Sequence, residues 1–486
     1  MGCQVFLLML VGFSRALSVV SQASNGGQAQ WTIMIYGAGD NNLEEALIDD
    51  IEEMGASGVP GTQGKINVLV LADRSDSYSS QRLGGIGDWV TTKEILVENG
   101  RYSELKDFGE LDLTEQSSLA NFISSSISSY PAESYGLILW DHGMGWMGYG
   151  EDGKIPSGSK KVWEGADYAV TSPTIPLSTV HDAIQEGLKA ASLERLDFLG
   201  FDSCLMQHYT VAANLVKFSH FFIASEDLEP FDGWDYTALS AVVSNPFITA
   251  ADLSKAIIDK YVTQTGNNRP RTLASVSREG FDYFVLAFRL LLTELNDLLD
   301  KIPYGDSVAV YSTLAKVRSS GAMVVMEWER QEPGIDLGTL LHQLQLHMGE
   351  VPRVQALVQS ALQAYQAMVV YHTAPPEEPG NTGMAIYFPK TAADMDTIDA
   401  EWSVITPPFG QMDSITIWLS FLQKYYAAAA TVTVLLILEG YSSSVFALHL
   451  YHHRCAAVGA TANVRRVRNG VQGSGIARRA LLLPRA

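Results

Sequence analysis

The chain contains 486 residues, and its hydrophobic content of 47% is sufficient for one or more large buried cores. Its 54 acidic side chains outnumber the 33 basic ones, which gives a formal net charge of −21. Such a surface repels nucleic acid and attracts cationic ligands, so we expect a globular protein that does not bind nucleic acid.

The amino terminus resembles a secretory signal peptide. An apolar run from Val5 to Val11 precedes several small residues, although the basic residues that usually open such a peptide are missing. We assign residues 1–23 to this signal, which predicts that the protein is exported.

The first β-turn-α unit is expected close to the amino terminus. Alternating residues from Trp31 to Tyr36 predict a strand, and an amphipathic helix is expected from Leu43 to about Met54. Between them, Gly37-Ala38-Gly39 resembles the start of a dinucleotide-binding fingerprint, but Asn42 occupies the position of the third glycine. We therefore interpret the segment as a tight turn whose polar residues, beginning at Asp40, cap the helix.

Two later apolar strands end in residues that could react chemically. The strand Tyr135–Trp140 leads into His142, and the strand Leu196–Phe201 leads into Cys204. The carboxyl ends of parallel strands meet at one sheet edge, so these two side chains are expected to be neighbours. Apolar residues at helical spacing from Leu205 to Val216 predict a helix that begins directly after the thiol and favours the thiolate.

A thiol and an imidazole at adjacent corners could act as nucleophile and base. Cys204 is the cysteine of the long globular stretch, since Cys3 lies in the leading apolar segment and Cys455 in a basic tail. The backbone N–H groups of Gly143 and Cys204 are candidate oxyanion donors. Spacing alone leaves the alternatives open: a lone cysteine is often a small buried hydrophobe, and His142 could be an ordinary loop residue.

The remaining pattern defines a fold class. Strands alternate with helices up to about residue 236, which predicts a three-layer α/β/α sandwich with a mostly parallel sheet. Beyond that point helices predominate, and strand-like pieces occur at Thr272–Val276 and Met384–Phe388. The predicted helices are Ala250–Thr263, Phe281–Leu299, Ser307–Arg318, Leu337–Met348 and Val351–Val370. We assign 30–236 to the core and 237–426 to a largely helical accessory region packed on it.

The carboxyl terminus contains a candidate membrane segment. The apolar residues 427–438 would span only about 18 Å as a helix, against the roughly 30 Å of a bilayer core. A segment extended to 427–451 is long enough to span a bilayer, but it includes Glu439, whose charge opposes insertion. Residues 452–486 form a basic tail that we expect to be disordered. The location is therefore predicted to be secreted or membrane-anchored by a single span, with the remaining body outside the cytoplasm.

Several segments together resemble the clostripain family of cysteine peptidases, within the caspase-like clan. The segments are WTIMIYGAGDNNLE (31–44), YPAESYGLILWDHGMGW (130–146), LDFLGFDSCLM (196–206), IASEDLEPFDGWDY (223–236) and GMAIYFP (383–389). The resemblance implies a caspase-like fold and an endopeptidase that works through a thioester acyl-enzyme. His142 would be its base and Cys204 its nucleophile. It also implies cleavage after Arg or Lys, with Asp202 and Asp232 lining the specificity pocket.

Some relatives cleave themselves between the histidine and the cysteine. In this chain the loop at 148–164 contains Lys154, Lys160 and Lys161, which are the candidate sites for self-cleavage. Some relatives also need calcium, but no run of oxygen ligands at EF-hand spacing occurs here. We therefore expect no required cofactor, and calcium stays an open possibility that no motif supports. We also expect a monomer that acts on polypeptides with Arg or Lys before the cut.

Two other functions remain open at this stage. The fold could serve as a non-catalytic binding protein, although the presence of both His142 and Cys204 argues against this. The acyl-enzyme could instead transfer its acyl group to an amine, so that the protein would be an acyl transferase or peptide ligase.

Overall fold

The computed structural model describes residues 28–59, 66–153, 174–264, 272–319, 334–349, 351–374, 380–389 and 413–438. The predicted signal peptide, the three candidate lysines and the basic tail lie outside these ranges.

A large mixed sheet forms the centre of the molecule. The strands are β1 (Ala29–Ala38), β2 (Ile66–Asp73), β3 (Lys93–Glu98), β4 (Arg101–Asp107), β5 (Ala132–Trp140), β6 (Tyr149–Glu151), β7 (Thr174–Ile175), β8 (Leu196–Asp202), β9 (Ser219–Ala224), β10 (Leu273–Ser277), β11 (Gly334–Asp336), β12 (Val369–Thr373) and β13 (Ala385–Tyr387). Within the described residues, nine of them form one sheet in the order β12-β10-β9-β8-β5-β1-β2-β3-β4. Two small antiparallel pairs, β6 with β7 and β11 with β13, lie beside it.

The middle of the sheet is parallel and its edges are antiparallel. Strands β9, β8, β5, β1 and β2 run in the same direction, whereas β3 and β10 reverse it on either side. The parallel strands are buried on both faces, which explains why β2 and β5 read as nearly continuous apolar runs rather than as alternating patterns.

Helices cover both faces of the sheet. They are α1 (Glu44–Ala56), α2 (Gln116–Ser129), α3 (Leu177–Ala190), α4 (Tyr209–Leu215), α5 (Ser240–Ser244), α6 (Ala250–Thr263), α7 (Arg278–Leu299), α8 (Ser307–Ser319), α9 (Leu337–His347), α10 (Pro352–Met368) and α11 (Asp413–Leu438). One apolar core lies under α1, α5 and α6, and a second lies under α2 to α4 and α7 to α11. This arrangement confirms the predicted three-layer α/β/α sandwich.

The later half of the chain is joined to the sheet itself. Strand β10 confirms the strand-like piece at Thr272–Val276, and it extends the central sheet by pairing with β9. Strand β12 was missed, because it follows α10 without any intervening turn residue and the sequence reads as a helix through Val370. The region 237–426 therefore contributes two strands to the central sheet in addition to the helices on its face.

The last helix runs without a break past the boundary drawn at residues 426 and 427. Its side chains Trp418, Phe421 and Tyr425 pack in the second core, and so do Ala428 and Val432. The beginning of the candidate membrane segment is thus part of the folded body. In the part of the chain that the structure describes, no helix combines the length and apolar character needed to cross a membrane.

A pair of buried carboxyl groups connects the central sheet to the small β11–β13 sheet. Glu226 follows β9 and Asp336 ends β11, and they are only 2% and 1% exposed. Glu226 Oε1 accepts a hydrogen bond from the N–H of Gly383 at 3.0 Å, and the two carboxyl side chains hydrogen-bond to each other. Such a bond needs a proton, and burial followed by repulsion from Asp336 raises the pKa of Glu226 well above its ordinary value.

This pair predicts a particular dependence of stability on pH. In the unfolded chain Glu226 loses its proton near the ordinary pKa of about 4.3, whereas in the folded protein it keeps the proton up to its raised pKa. Between these two pKa values the folded state binds more protons, so the free energy of unfolding falls as the pH rises. The free energy of unfolding should fall by up to about 1.4 kcal/mol per pH unit over that interval. Glu226→Gln can donate to Asp336 without titrating, and it should flatten the slope measured by denaturant unfolding between pH 5 and pH 8.

Glu45→Gln, at an exposed position on α1, is the matched control and should keep the wild-type slope. An unchanged slope in Glu226→Gln would show that the pair does not hold the proton.

Candidate active site

The corners after β5 and β8 touch each other at the carboxyl edge of the sheet. The two strands stay in register up to the pair Trp140 and Asp202, so His142 and Cys204 each lie two residues beyond the last pair. A Cβ atom placed on Gly143 would lie 2.0 Å from the carbonyl oxygen of Cys204. Only a glycine permits this approach, and it brings the backbones of the two candidate oxyanion donors together.

The Cys204 thiol is partly buried beneath the loop that follows β9. The N–H of Glu229 donates a hydrogen bond to Sγ at 3.2 Å, and the N–H of Leu205 donates to the carbonyl oxygen of Asp227 at 3.1 Å. Leu205 has a φ angle of 68°, in the left-handed region that a branched side chain rarely adopts. The loop that carries the thiol is therefore fixed by the neighbouring chain and is strained at the next residue.

The predicted helix directly after Cys204 is wrong. Helix α4 begins at Tyr209, five residues later, because the left-handed Leu205 cannot belong to a right-handed helix. The N–H of Gln207 is also taken by the carbonyl oxygen of Ser225 at 2.7 Å. A helix N-terminus at the thiol is thus excluded as the source of its reactivity.

The imidazole of His142 is oriented by an asparagine from the β1–α1 connection. His142 Nε2 lies 2.9 Å from Asn42 Oδ1, and burial lowers the pKa of the imidazole below its ordinary value, which favours the neutral ring at pH 7. Since a carbonyl oxygen can only accept, this contact assigns the ring proton to Nε2. The lone pair of Nδ1 is then the one that can accept a proton.

Asp141 fixes the backbone conformation at His142 through hydrogen bonds. Its buried carboxylate accepts hydrogen bonds from the N–H groups of His142 and Glu151, and from Asn41 Nδ2 at 2.8 Å. Sequence reasoning assigned the residues from Asp40 only to capping and missed these contacts. The signal was available, because three consecutive polar residues are more than one helix cap requires.

The carboxylate of Asp202 is buried beside the thiol corner, with an exposed fraction of 4%. It accepts hydrogen bonds from the N–H of Trp234 at 3.1 Å and from the hydroxyl of Tyr236 at 2.9 Å. Burial raises its pKa to about 6, and repulsion from Asp232 acts in the same direction. Asp202 and Asp232 therefore lie close enough to sense each other's charge.

Further acids surround this carboxylate. Asp50, which is buried under the Nε1–H of Trp140, has its pKa raised by burial and then by Asp202. Burial also raises the pKa of Glu53, and repulsion from Asp235, Asp202 and Asp232 adds to the shift. Among the described residues, Asp202, Asp232, Asp50 and Glu53 form what we term the acidic cluster, which would favour a positively charged guest.

A cysteine and an oriented neutral imidazole at adjacent corners of an α/β/α sheet define the class of cysteine-dependent hydrolases. The chain belongs to the clostripain family of cysteine peptidases, whose family model matches residues 35–391. The resemblance noted in the sequence is thereby confirmed.

Individual relatives agree with this assignment. Clostripain from Hathewaya histolytica is 29% identical over 208 residues, which are 40% of this chain and 37% of that protein. The chain thus matches little more than a third of that relative's length.

Two solved structures share the fold. A secreted C11 cysteine protease from Bacteroides thetaiotaomicron, in complex with an irreversible peptide inhibitor, is 16% identical with a TM-score of 0.54 and covers 78% of this chain and 99% of its own. An inactive zymogen C11 protease from Parabacteroides distasonis is 19% identical with a TM-score of 0.53 and covers 80% and 98% respectively.

Proposed function

We propose that this peptidase is an endopeptidase that cleaves after Arg or Lys, with Cys204 as nucleophile and His142 as base. The observation that supports this most directly is the contact between Gly143 and the carbonyl oxygen of Cys204, since it places the two corners against each other.

The reaction follows from the hydrogen bonds of the two side chains. His142 Nδ1 accepts the thiol proton, and the thiolate attacks the carbonyl carbon of the scissile bond. The N–H groups of Gly143 and Cys204 stabilise the resulting oxyanion. The imidazolium then donates its proton to the leaving amine as the C–N bond breaks and a thioester remains. Water, deprotonated by His142, hydrolyses the thioester and the thiol is regenerated.

Selection of a cationic side chain is assigned to the acidic cluster. A carboxylate removed from water binds a guanidinium or ammonium group through charge-assisted hydrogen bonds, which are stronger than neutral ones. Asp202 is buried next to the thiol corner, and Asp232 is partly exposed in the turn that wraps around it. Asp202 would hold the charge at the base of the pocket and Asp232 would assist nearer its entrance.

Cleavage of short peptides that vary only at the residue before the cut tests both assignments. Wild type should cleave Arg and Lys peptides, and Cys204→Ala should be inactive. Asp202→Asn should reduce the preference for Arg over a neutral residue by about 100-fold, because a buried charge pair is lost. Asp252→Asn, at an exposed acid in the first turn of α6, is the control and should keep the preference.

The same peptides give a pH dependence with a defined sign. A cation binds the ionised carboxylate, so kcat/KM for Arg peptides should fall as the pH drops below the Asp202 pKa of about 6. The ratio of Arg to neutral cleavage should fall with it. If neutral peptides are cleaved as fast as Arg peptides, the pocket assignment fails while the Cys204 assignment stands.

Asn42 is proposed as the residue that orients the imidazole. Its side chain is exposed, so Asn42→Ala should leave the melting temperature nearly unchanged but lower kcat by about 10-fold or more as the ring loses its fixed tautomer. Asn42→Asp supplies a charged acceptor and should move the acidic limb of the kcat/KM profile to higher pH, because it stabilises the imidazolium.

Asn41→Ala is the contrasting variant, since buried Asn41 donates to Asp141 and to the carbonyl oxygen of Ala38 at 2.9 Å. It should lower stability as well as activity. Equal losses of stability in both alanine variants would remove the orienting role from Asn42.

Self-cleavage after Lys154, Lys160 or Lys161 is proposed as the activation step. The segment begins directly after Gly153, whose N–H donates to the carbonyl oxygen of Asp40 at 2.9 Å, so its start is fixed close to the catalytic turn. Purified wild type should separate into two fragments on a denaturing gel, and Cys204→Ala should remain intact. A triple Lys→Ala variant at the three positions should also remain intact and have low activity. Full activity in an intact wild-type chain would contradict the step.

Two further points belong to this proposal. The predicted signal at 1–23 and the secreted solved relative favour action outside the cytoplasm. Transfer of the acyl group to an amine remains the competing outcome, and it is detected by the mass of the products when an amino acid amide is added to the peptide assay.

A further inference from the structure

The loop that carries the thiol is held by the segment that contains the buried Glu226. The N–H of Leu205 donates to the carbonyl oxygen of Asp227 at 3.1 Å, and the N–H of Gln207 donates to that of Ser225 at 2.7 Å. Glu226 lies between these two acceptors in the chain. The backbone on both sides of this carboxyl group is therefore bonded to the residues that follow the thiol.

Strand β13 closes the same set of contacts from a second side. The N–H of Ala385 donates to the carbonyl oxygen of Gln207 at 2.9 Å, and Ala385 pairs with Asp336 in the β11–β13 sheet. The Asp336 side chain hydrogen-bonds to Glu226, whose Oε1 also accepts from the N–H of Gly383 at 3.0 Å. A displacement of the Glu226 carboxyl group can thus reach the loop that carries the thiol through its own backbone and through β13.

The segment after β9 also supplies the hydrogen bond to the sulfur. Glu229 follows Glu226 by three residues, and its N–H donates to Cys204 Sγ at 3.2 Å. The turn between them is held by the N–H of Asp227, which donates to Ser225 Oγ at 3.2 Å. A hydrogen-bond donor stabilises a thiolate more than a thiol, because the negative charge strengthens the bond. The reactivity of the sulfur therefore depends on where this backbone is held.

The donors around the two carboxyl groups indicate which of them carries the proton. Asp336 accepts from the N–H of Thr339 at 2.6 Å, and from the N–H and the hydroxyl of Thr382 at 2.7 and 2.8 Å. This environment suits an ionised carboxylate. Glu226 Oε1 accepts from Gly383, whereas Oε2 meets no N–H or O–H donor among the described residues. Glu226 is therefore the protonated partner, and its O–H donates to Asp336.

The titratable groups packed around the pair agree with this assignment. Burial raises the pKa of Glu226 well above its ordinary value, and repulsion from Asp336 and Asp227 adds to the shift. On α10, burial followed by repulsion from Asp336 and Glu226 raises the pKa of Tyr365. On β12, burial lowers the pKa of His372, which senses the charge of Asp336. Tyr365 and His372 are thus neutral near pH 7, and the proton on Glu226 limits the charge of the pair.

We propose that Glu226 is a positioning residue for the nucleophile: its carboxyl group, hydrogen-bonded to Asp336, holds the segment after β9 so that the N–H of Glu229 stays on Cys204 Sγ. This inference rests on the proposed role of Cys204. It adds a residue that acts on the sulfur through the backbone and touches neither the substrate nor the reacting atoms.

Alkylation of Cys204 by iodoacetamide tests the proposal without requiring peptide cleavage. The thiol is partly exposed, and mass spectrometry of the peptide that contains Cys204 separates its reaction from those of Cys3 and Cys455. Glu226→Ala removes the contacts of the carboxyl group. The pH at which alkylation is half-maximal should then rise by about 1 unit, and the rate at pH 7 should fall by up to about 10-fold, because a hydrogen bond to a charged group is weakened.

Two further substitutions of Glu226 separate the hydrogen bonds from the packing. Glu226→Met fills a similar volume without a hydrogen-bonding group, so it should give the same rise in the alkylation midpoint and leaves no large cavity. Glu226→Gln can donate to Asp336 through Nε2 and accept from the N–H of Gly383 through Oε1. Its midpoint should therefore return to the wild-type value. A rise in Glu226→Gln as large as in Glu226→Met would contradict the proposed hydrogen bond to Asp336.

Asp197→Ala is the control for a general loss of stability. Asp197 lies near the start of β8, at the opposite end of the strand that leads to Cys204, and its carboxylate accepts from the N–H of Tyr135 at 2.7 Å. The variant should lower the melting temperature and keep the wild-type midpoint of alkylation. An unchanged midpoint in Glu226→Met, or an equal rise in Asp197→Ala, would overturn the positioning role.

Peptide cleavage measured on the same proteins keeps this inference apart from the proposed function. A shifted alkylation midpoint in Glu226→Met, in a protein whose wild type cleaves no peptide, would support the positioning of the thiol and reject the peptidase mechanism. Cleavage by wild type together with an unchanged midpoint in Glu226→Met would do the reverse.

Discussion

The contact between the corners after β5 and β8 is the constraint on which the site depends. Trp140 and Asp202 are the last paired residues of these two parallel strands, so both chains leave the sheet at the same edge. Because Gly143 has no side chain, its backbone can lie against the carbonyl oxygen of Cys204. A side chain at this position would collide with that carbonyl oxygen and force the corners apart.

The turn after β1 makes hydrogen bonds to the corner that follows β5. Asp40, Asn41 and Asn42 are consecutive, yet they face three different targets: the carboxylate group near Asp152, the buried Asp141, and the imidazole. A short turn can do this because consecutive residues of an irregular segment point in different directions. The same turn thus holds the backbone through Asp141 and the ring of His142, so the two consecutive asparagines each make a separate contact.

The sequence predicted secondary structure well where a hydrophobic pattern has one physical cause. Apolar runs bounded by turn residues revealed the parallel strands, and helical spacing predicted α6, α7 and α8 closely. Hydrophobic patterns gave the wrong secondary structure where tertiary contacts override the local conformational preference. Leu205 fits a helix by its spacing, but it has a left-handed conformation in which its N–H donates to the carbonyl oxygen of Asp227 in the loop after β9. Strand β12 exists because β10 offers it an edge, which no local pattern indicates.

Site residues divide along the same line. His142 and Cys204 could be proposed from the sequence because each lies two residues beyond a buried strand, and parallel strands bring such positions to one sheet edge. The contacts of Asn42 and Asp73 could not be predicted, because they depend on which distant side chain each residue meets. A hydrogen bond across 100 residues of chain leaves no periodic trace in the sequence.

The buried acids of this protein show three ways to accommodate a carboxyl group away from water. Glu226 hydrogen-bonds to Asp336, and burial followed by repulsion from Asp336 raises the pKa of Glu226 well above its ordinary value, which favours its neutral form. Asp202 is satisfied by the N–H of Trp234 and the hydroxyl of Tyr236, and its pKa of about 6 leaves it able to ionise for a cationic guest. Asp73 has one satisfied oxygen and one unsatisfied oxygen beside three other acids. Since an unpaired buried carboxylate is costly, burial favours the neutral form of each of these groups, and the hydrogen bonds from Tyr236 and Trp234 lower the pKa of Asp202 against this effect.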